Sequence, residues 1–368
     1  MTRRLIYDSV VDKARLNKRL REEGKHVCIP FPFPGLSKIH PGIEQGTYYL
    51  VSGNQKAGKT QIADYLFLYN AFKFVTERET NIKLKVFSFN LEMDKQSKIR
   101  QAIVHRLFLK KGIVLSTRDL NSLFDDRVLP DHILRFVEED REWFDRFESI
   151  VEFVDDIRNP FGIYDHVRNY FESNGSYTYK TIFVRDDKGI FKDKQIIDTY
   201  TPNDPDLYVL IMVDNVNLML TEKGGTLYDA ISDFSSNYMV RARNRWGAIP
   251  VIIQQQALGQ ESANNRKMEM TEPSATGLAD NKVTSKDCNA LITIYDPVRN
   301  KNNNYLKYAV DKMGGRYRRL AIELDRHGIN CETSLYFNGA VNFYKELPAA
   351  SAMTTDMYDR ISKDLIRQ

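Results

Sequence analysis

The chain has 368 residues, 42% hydrophobic and 28% charged, with only 12 Pro and 19 Gly, a composition that excludes a collagen-like, linker-like or disordered polymer. Its 53 Lys/Arg face 49 Asp/Glu, and residues 1–25, with eight basic and four acidic side chains, hold the whole surplus of +4. The other residues balance, so no general polyanion-binding surface is written into the composition, and nucleic-acid contact must come from local basic loops or backbone amides. Cys28, Cys288 and Cys331 fit neither a disulfide framework nor a zinc site. The longest apolar run, Leu207–Val213, falls far short of the roughly 20 residues of a membrane span. No secretory signal is visible, and the expectation is a reduced, cytoplasmic protein with no membrane segment.

In chain order, Asp8 to about Gly24 has helical periodicity, and HVCIPFPFPGLSKIHPG after it reads as an extended linker. Residues 1–45 thus form an N-terminal helix and linker. An α/β pattern then occupies 46–348. Strands are expected at Tyr48–Ser52, Lys85–Asn90, Ile150–Val154, Tyr208–Val213 and Ile249–Gln254, with helices at Gln61–Thr76 and Lys95–Leu109. Strands alternating with helices imply βαβ crossovers and a mostly parallel, buried sheet. Thr178–Thr201 alternates around Asp187-Lys188-Gly189, a β-hairpin signature for an insertion at about 176–203. Gly259–Gly277 is polar and aperiodic, as expected of a mobile loop. From Ala290 to Leu347 the segments ALITIYD, YLKYAVDK, RRLAIELD and VNFYKEL read as short strands at one sheet edge, followed by a helical tail over 349–368.

Gly53-Asn54-Gln55-Lys56-Ala57-Gly58-Lys59-Thr60 satisfies G-x-x-x-x-G-K-[ST] between a strand and a helix. Its glycines let backbone N–H groups wrap a phosphate while the next helix aims its positive end at the same anion. Lys59 can reach the β/γ-phosphates, and the Thr60 hydroxyl can hold Mg²⁺, so ATP with Mg²⁺ is the expected ligand pair. Hydrolysis also needs acids. Asp214 ends an apolar strand, where a carboxylate can hold Mg²⁺ through its water shell or simply make a turn. Glu92 follows the second strand, at the edge where ligands collect in parallel sheets, although a Glu there also suits a helix N-terminus.

The order SGNQKAGKT, VFSFNLEM, LIMVDNVNLM and IPVIIQQQA resembles the DnaB-type replicative helicases and their RecA-core relatives, from about Pro32 to Leu347. The resemblance implies a RecA-like P-loop core in which Glu92 is the catalytic glutamate and Asp214 the Walker-B aspartate. Asn217 matches a glutamine of that strand, and Gln256, with Gln254 and Gln255 adjacent, the γ-phosphate sensor. GLADNKVTSKDCNALITIYD resembles a further family stretch, with Leu278 kept and Ala279 where the family has arginine. AVDKMGGRYRRL resembles the hairpin whose Lys and Arg reach a neighbour's γ-phosphate. Lys312 fits, Gly314 stands where the arginine would be, and Arg316 is the nearest candidate, with Arg318 and Arg319 open.

The resemblance further implies a ring, as a hexamer, whose channel loops track single-stranded DNA, with the N-terminal helix docking on the adjacent protomer. Candidate channel segments are Thr221–Thr226, with Lys223, Gly224 and Gly225, and the Gly259–Gly277 loop with Arg266 and Lys267. Either could equally be a solvated loop. Two functions follow. One is an ATP-driven DNA helicase or translocase in replication, with a replication or loader protein as a further partner. The other is a RecA-core ATPase acting as loader, scaffold or regulatory assembly on protein partners without unwinding.

Overall fold

The computed structural model describes residues 6–185, 191–221, 224–268 and 270–366. The strands are β1 (Tyr49–Gly53), β2 (Lys83–Asn90), β3 (Val151–Val154), β4 (Gly175–Arg185), β5 (Phe191–Pro202), β6 (Leu207–Asp214), β7 (Ile249–Gln255), β8 (Ala290–Tyr295), β9 (Tyr317–Asp325), β10 (Cys331–Asn338) and β11 (Phe343–Glu346). Nine of them make one sheet in the order β11-β10-β9-β8-β1-β7-β6-β2-β3. From β8 to β3 every neighbouring pair is parallel, while β9, β10 and β11 extend the sheet antiparallel at one edge.

The central strands β6 and β7 are almost wholly apolar because both of their faces are covered, while β2 and β3 nearer the edge carry Lys83, Lys85 and Glu152. One face packs under the helical run 59–77 and the helix Lys95–Lys111, through Val51, Phe67, Phe72, Leu210 and Ile253. The other packs Leu50, Phe89, Ile211 and Ile252 against Ile163, Phe171, Phe234 and Trp246. The 59–77 run carries a π-helical segment, Asp64–Tyr69, at its centre. β4 and β5 pair as the expected hairpin, and the turn at Asp187-Lys188-Gly189 lies outside the described residues.

Three expectations change. The segment read as a linker is a strap bound to the core: Ile29 pairs with Ile43, and Ile29, Phe31, Phe33 and Leu36 are buried with the β1 residues. Its apolar side chains at alternate positions outweigh the Pro/Gly signal. The helix before it, Ile6–Glu22, has no buried residue and leaves Ile6, Tyr7 and Val10 85%, 71% and 62% exposed. Gly259–Gly277 folds into short helical turns, Leu258–Glu261, Ala263–Lys267 and Ala275–Gly277, because side-chain amides rather than apolar packing order it. There, Gln260 donates to the Met270 and Glu272 carbonyls, and Asn265 to those of Gly259 and Gln260. YLKYAVDK is a tight reversal, Tyr305 bridged to Tyr308, then a 3-10 turn at Val310–Met313. Positive φ at Leu306 and Lys307 breaks any strand, and β10, which the sequence did not announce, takes the place beside β9. In the tail, Thr355–Ser362 is helical.

Candidate active site

β1 delivers the phosphate loop to the carboxyl edge of the sheet. Gly53 is required because a Cβ there would lie 2.5 Å from the Ile294 carbonyl oxygen, and Gly58 because its φ of +104° opens the first turn of the next helix. Lys59 is buried and its Nζ donates to the Asn54 carbonyl at 3.1 Å. Burial pulls this ammonium below the usual lysine range, while Asp214 and Glu92 oppose the shift. Asn54 is tied to the Thr271 carbonyl at 2.9 Å, so the 259–277 segment covers one side of the loop. Arg318 backs the other side: its Nε donates to the Ala57 carbonyl at 2.8 Å, Asp296 pairs with it at 3.0 Å, and Phe337 lies under the guanidinium.

The acids converge on the same edge. The Thr60 hydroxyl donates to Asp214 Oδ1 at 3.1 Å, which sets a hydroxyl and a carboxylate side by side. That donor set suits a divalent ion held with phosphate oxygens, since Mg²⁺ keeps most of its water and takes few protein ligands. Glu92 is exposed, and its Oε2 accepts from Asn215 Nδ2 at 2.9 Å. Asn215 Oδ1 accepts from the Asn217 amide, and Asn217 Oδ1 accepts from the Gln255 amide at 2.9 Å. A polar chain therefore runs from Glu92 to the end of β7. Gln256 is buried, donating to Ser52 Oγ and the Ser274 carbonyl. Gln255, two residues beyond Ile253, lies by strand alternation on the face that carries Asp214. Gln254 is buried and spends its amide on the Ala279 and Asn281 carbonyls.

No family model matches the sequence, and no curated protein matches it. Solved structures do resemble it. One of them, an ATPase domain, aligns over 92% of this chain and 99% of its own, with a TM-score of 0.64 and 15% identity. A DnaB-like replicative helicase, described with its interactions with primase, aligns over 94% of this chain and 68% of its own, with a TM-score of 0.63 and 15% identity. The fold is that of a DnaB-like helicase ATPase domain.

Within this fold the expected basic residues separate into groups. Arg318 is committed to its own phosphate loop, and Arg319 to Glu323, Glu332 and Glu272. Both side chains are largely buried in these pairings. Arg316 is partly exposed but forms a two-pronged pair with Asp364 from the C-terminal tail, at 2.7 and 2.6 Å, and Tyr336 donates to the same carboxylate. Lys312 is exposed on the 3-10 turn rather than on a hairpin strand. Arg266 and Lys267 are exposed beyond β7, and Gly224 and Gly225 are exposed beyond β6, so both segments leave the edge that carries the phosphate loop. Lys223 lies outside the described residues. Sequence reasoning passed over Asn215, whose place directly after Asp214 was its only signal, and Lys98, which had none.

Proposed function

We propose that the chain is an ATP-hydrolysing, DnaB-like translocase that acts on single-stranded DNA as a ring, as a hexamer, in replication. The carrying observation is the convergence of Lys59, the Thr60–Asp214 pair and Glu92 at one sheet edge. In this reading the loop amides cradle the phosphates of ATP, and Lys59 offsets their charge. Thr60 and Asp214 would hold magnesium, which when bound would supply positive charge against the phosphates. Glu92, oriented by Asn215, aligns the attacking water and accepts its proton. The Gln255–Gln256 pair reports the γ-phosphate to the strand end, with Gln256 the residue that the family resemblance assigns. Lys312 and Arg316 stabilise transition-state charge in the neighbouring subunit, which requires Arg316 to leave Asp364. Arg266, Lys267 and the 223–225 segment contact the DNA backbone. The unburied N-terminal helix supplies a face for an adjacent protomer, while a replication or loader protein is a further partner.

One observation favours the second reading, a RecA-core ATPase that works on protein partners: Arg316 is already satisfied within its own chain. Steady-state ATPase with and without single-stranded DNA separates the two. Stimulation of several-fold is expected for a translocase, and a flat response across DNA concentrations refutes it.

A further inference from the structure

Lys98 is 2% exposed, in the second turn of the helix that follows Glu92, and its ammonium lies among carboxylates. Nζ donates to Asp64 Oδ2 at 2.9 Å and Oδ1 at 3.1 Å, and to Asp214 Oδ2 at 3.5 Å. Asp64, 1% exposed, comes from the helix that the phosphate loop opens. Three elements thus meet at one buried cation. They are the phosphate-loop helix, the helix after Glu92, and the end of β6. The two oxygens of Asp214 are divided between partners, with Oδ1 on the Thr60 hydroxyl and Oδ2 toward Lys98.

Burying an ion pair at this depth is costly compared with packing two apolar side chains there, so stability alone is a poor reason for it. Its placement supplies another. A fixed positive charge beside Asp214 lowers the negative potential that a divalent cation would meet at the Thr60 side of the same carboxylate. Asp64 holds that charge in place without touching Asp214. Among the described residues, neither Glu92 nor Lys59 is hydrogen-bonded to the pair, which meets the site through the Asp214 carboxylate.

Building on the ATPase reading, we propose that the Asp64–Lys98 pair is a positioning and tuning element for Asp214, which fixes its carboxylate and sets how much Mg²⁺ nucleotide binding requires. The test titrates Mg²⁺ against binding of a fluorescent ATP analogue, in the full chain and without turnover. Lys98→Met, and the double variant Asp64→Asn with Lys98→Met, remove the charge while keeping most of the volume. Half-saturating Mg²⁺ should fall by up to about tenfold in Lys98→Met and by about threefold in the double variant, where the Asp64 charge leaves with the cation and only the residual field of the ammonium at Asp214 is lost. Affinity in EDTA should not change, and Lys98→Arg should behave like the parent. An unchanged or higher Mg²⁺ requirement in a double variant that melts like the parent overturns the proposal. So does Lys98→Arg shifting as far as Lys98→Met, or a double variant that cannot fold, which would make the pair a folding element only. A parent whose nucleotide binding ignores Mg²⁺ would overturn the ATPase reading as well, and the parent titration reports that separately.

Discussion

Glu92→Gln removes one proton acceptor and almost nothing else. The side chain is exposed, it accepts from Asn215 Nδ2 at 2.9 Å, and a glutamine carbonyl can accept the same bond. No buried charge is orphaned, so melting temperature should hold and the stability change should stay within about 0.5 kcal/mol. Turnover is different. A positioned general base contributes roughly 10²–10⁴ in rate, which is about 3–5 kcal/mol of barrier at 1.36 kcal/mol per decade. Steady-state phosphate release should fall by that factor while binding of a fluorescent ATP analogue with Mg²⁺ remains near parental. Lys59→Ala gives the opposite pattern, with binding itself weakened, because the loop's phosphate-directed charge is lost. Removing Asn215 as Ala should cost less than the glutamine variant, since it misorients the base without deleting it. Glu92→Gln hydrolysing ATP at the parental rate would refute the assignment of the base.

The remaining expectations concern the subunit boundary and pH. Arg316→Ala should keep ATP affinity but lose turnover, and mixing it with Glu92→Gln subunits should restore part of the ATPase activity; two inactive proteins that assemble together without rescue would sink the trans-acting role. Burial holds His105 down at about 4 from an ordinary 6.5, with Lys73 and Arg106 adding to the effect and the Val341 carbonyl opposing it. The unfolded chain therefore binds the extra proton first, so this stability is complete above pH 6.5 and is lost as pH falls toward 4, by about 3 kcal/mol. Chemical denaturation of the parent against His105→Asn across that interval should show the parent losing more; parallel curves would refute the shift.

What the sequence displayed was set by burial on both faces. β6 and β7 are apolar runs because helices cover each side of them, and the phosphate loop is a local motif whose spacing is its mechanism. β10 escaped notice because CETSLYFN begins polar: Cys331 and Glu332 lie at its less buried end, and only Thr333 to Asn338 are covered. The strap is hidden in the sequence for a related reason. Pro and Gly mark where a helix cannot run, but they do not show that Phe31 and Phe33 reach the core between them.

Site residues divide along the same line. Lys59, Thr60, Glu92 and Asp214 are legible because each stands at a fixed offset from the end of a strand, and the sheet then brings those ends together. Lys98 is one of several lysines in a charged helix, KQSKIRQAIVHRLFLKK, and nothing local distinguishes the buried one. Arg318 shows the converse. Beside Arg316 and Arg319 it looks like part of a basic face for a partner, yet its guanidinium is closed in by Asp296, Phe337 and the Ala57 carbonyl. With Arg319 held by three glutamates, most of that basic strand is neutralised within the chain. In the proposed function, Arg266 and Lys267 beyond β7, Lys312 and Arg316 are the cations assigned to intersubunit or DNA contact, Arg316 only once Asp364 lets it go. In the proposed trans-acting role Arg316 would exchange Asp364 for a neighbour's phosphate, which would couple the C-terminal tail to turnover, because whatever displaces Asp364 would also release the cation on which the mixed-subunit rescue depends.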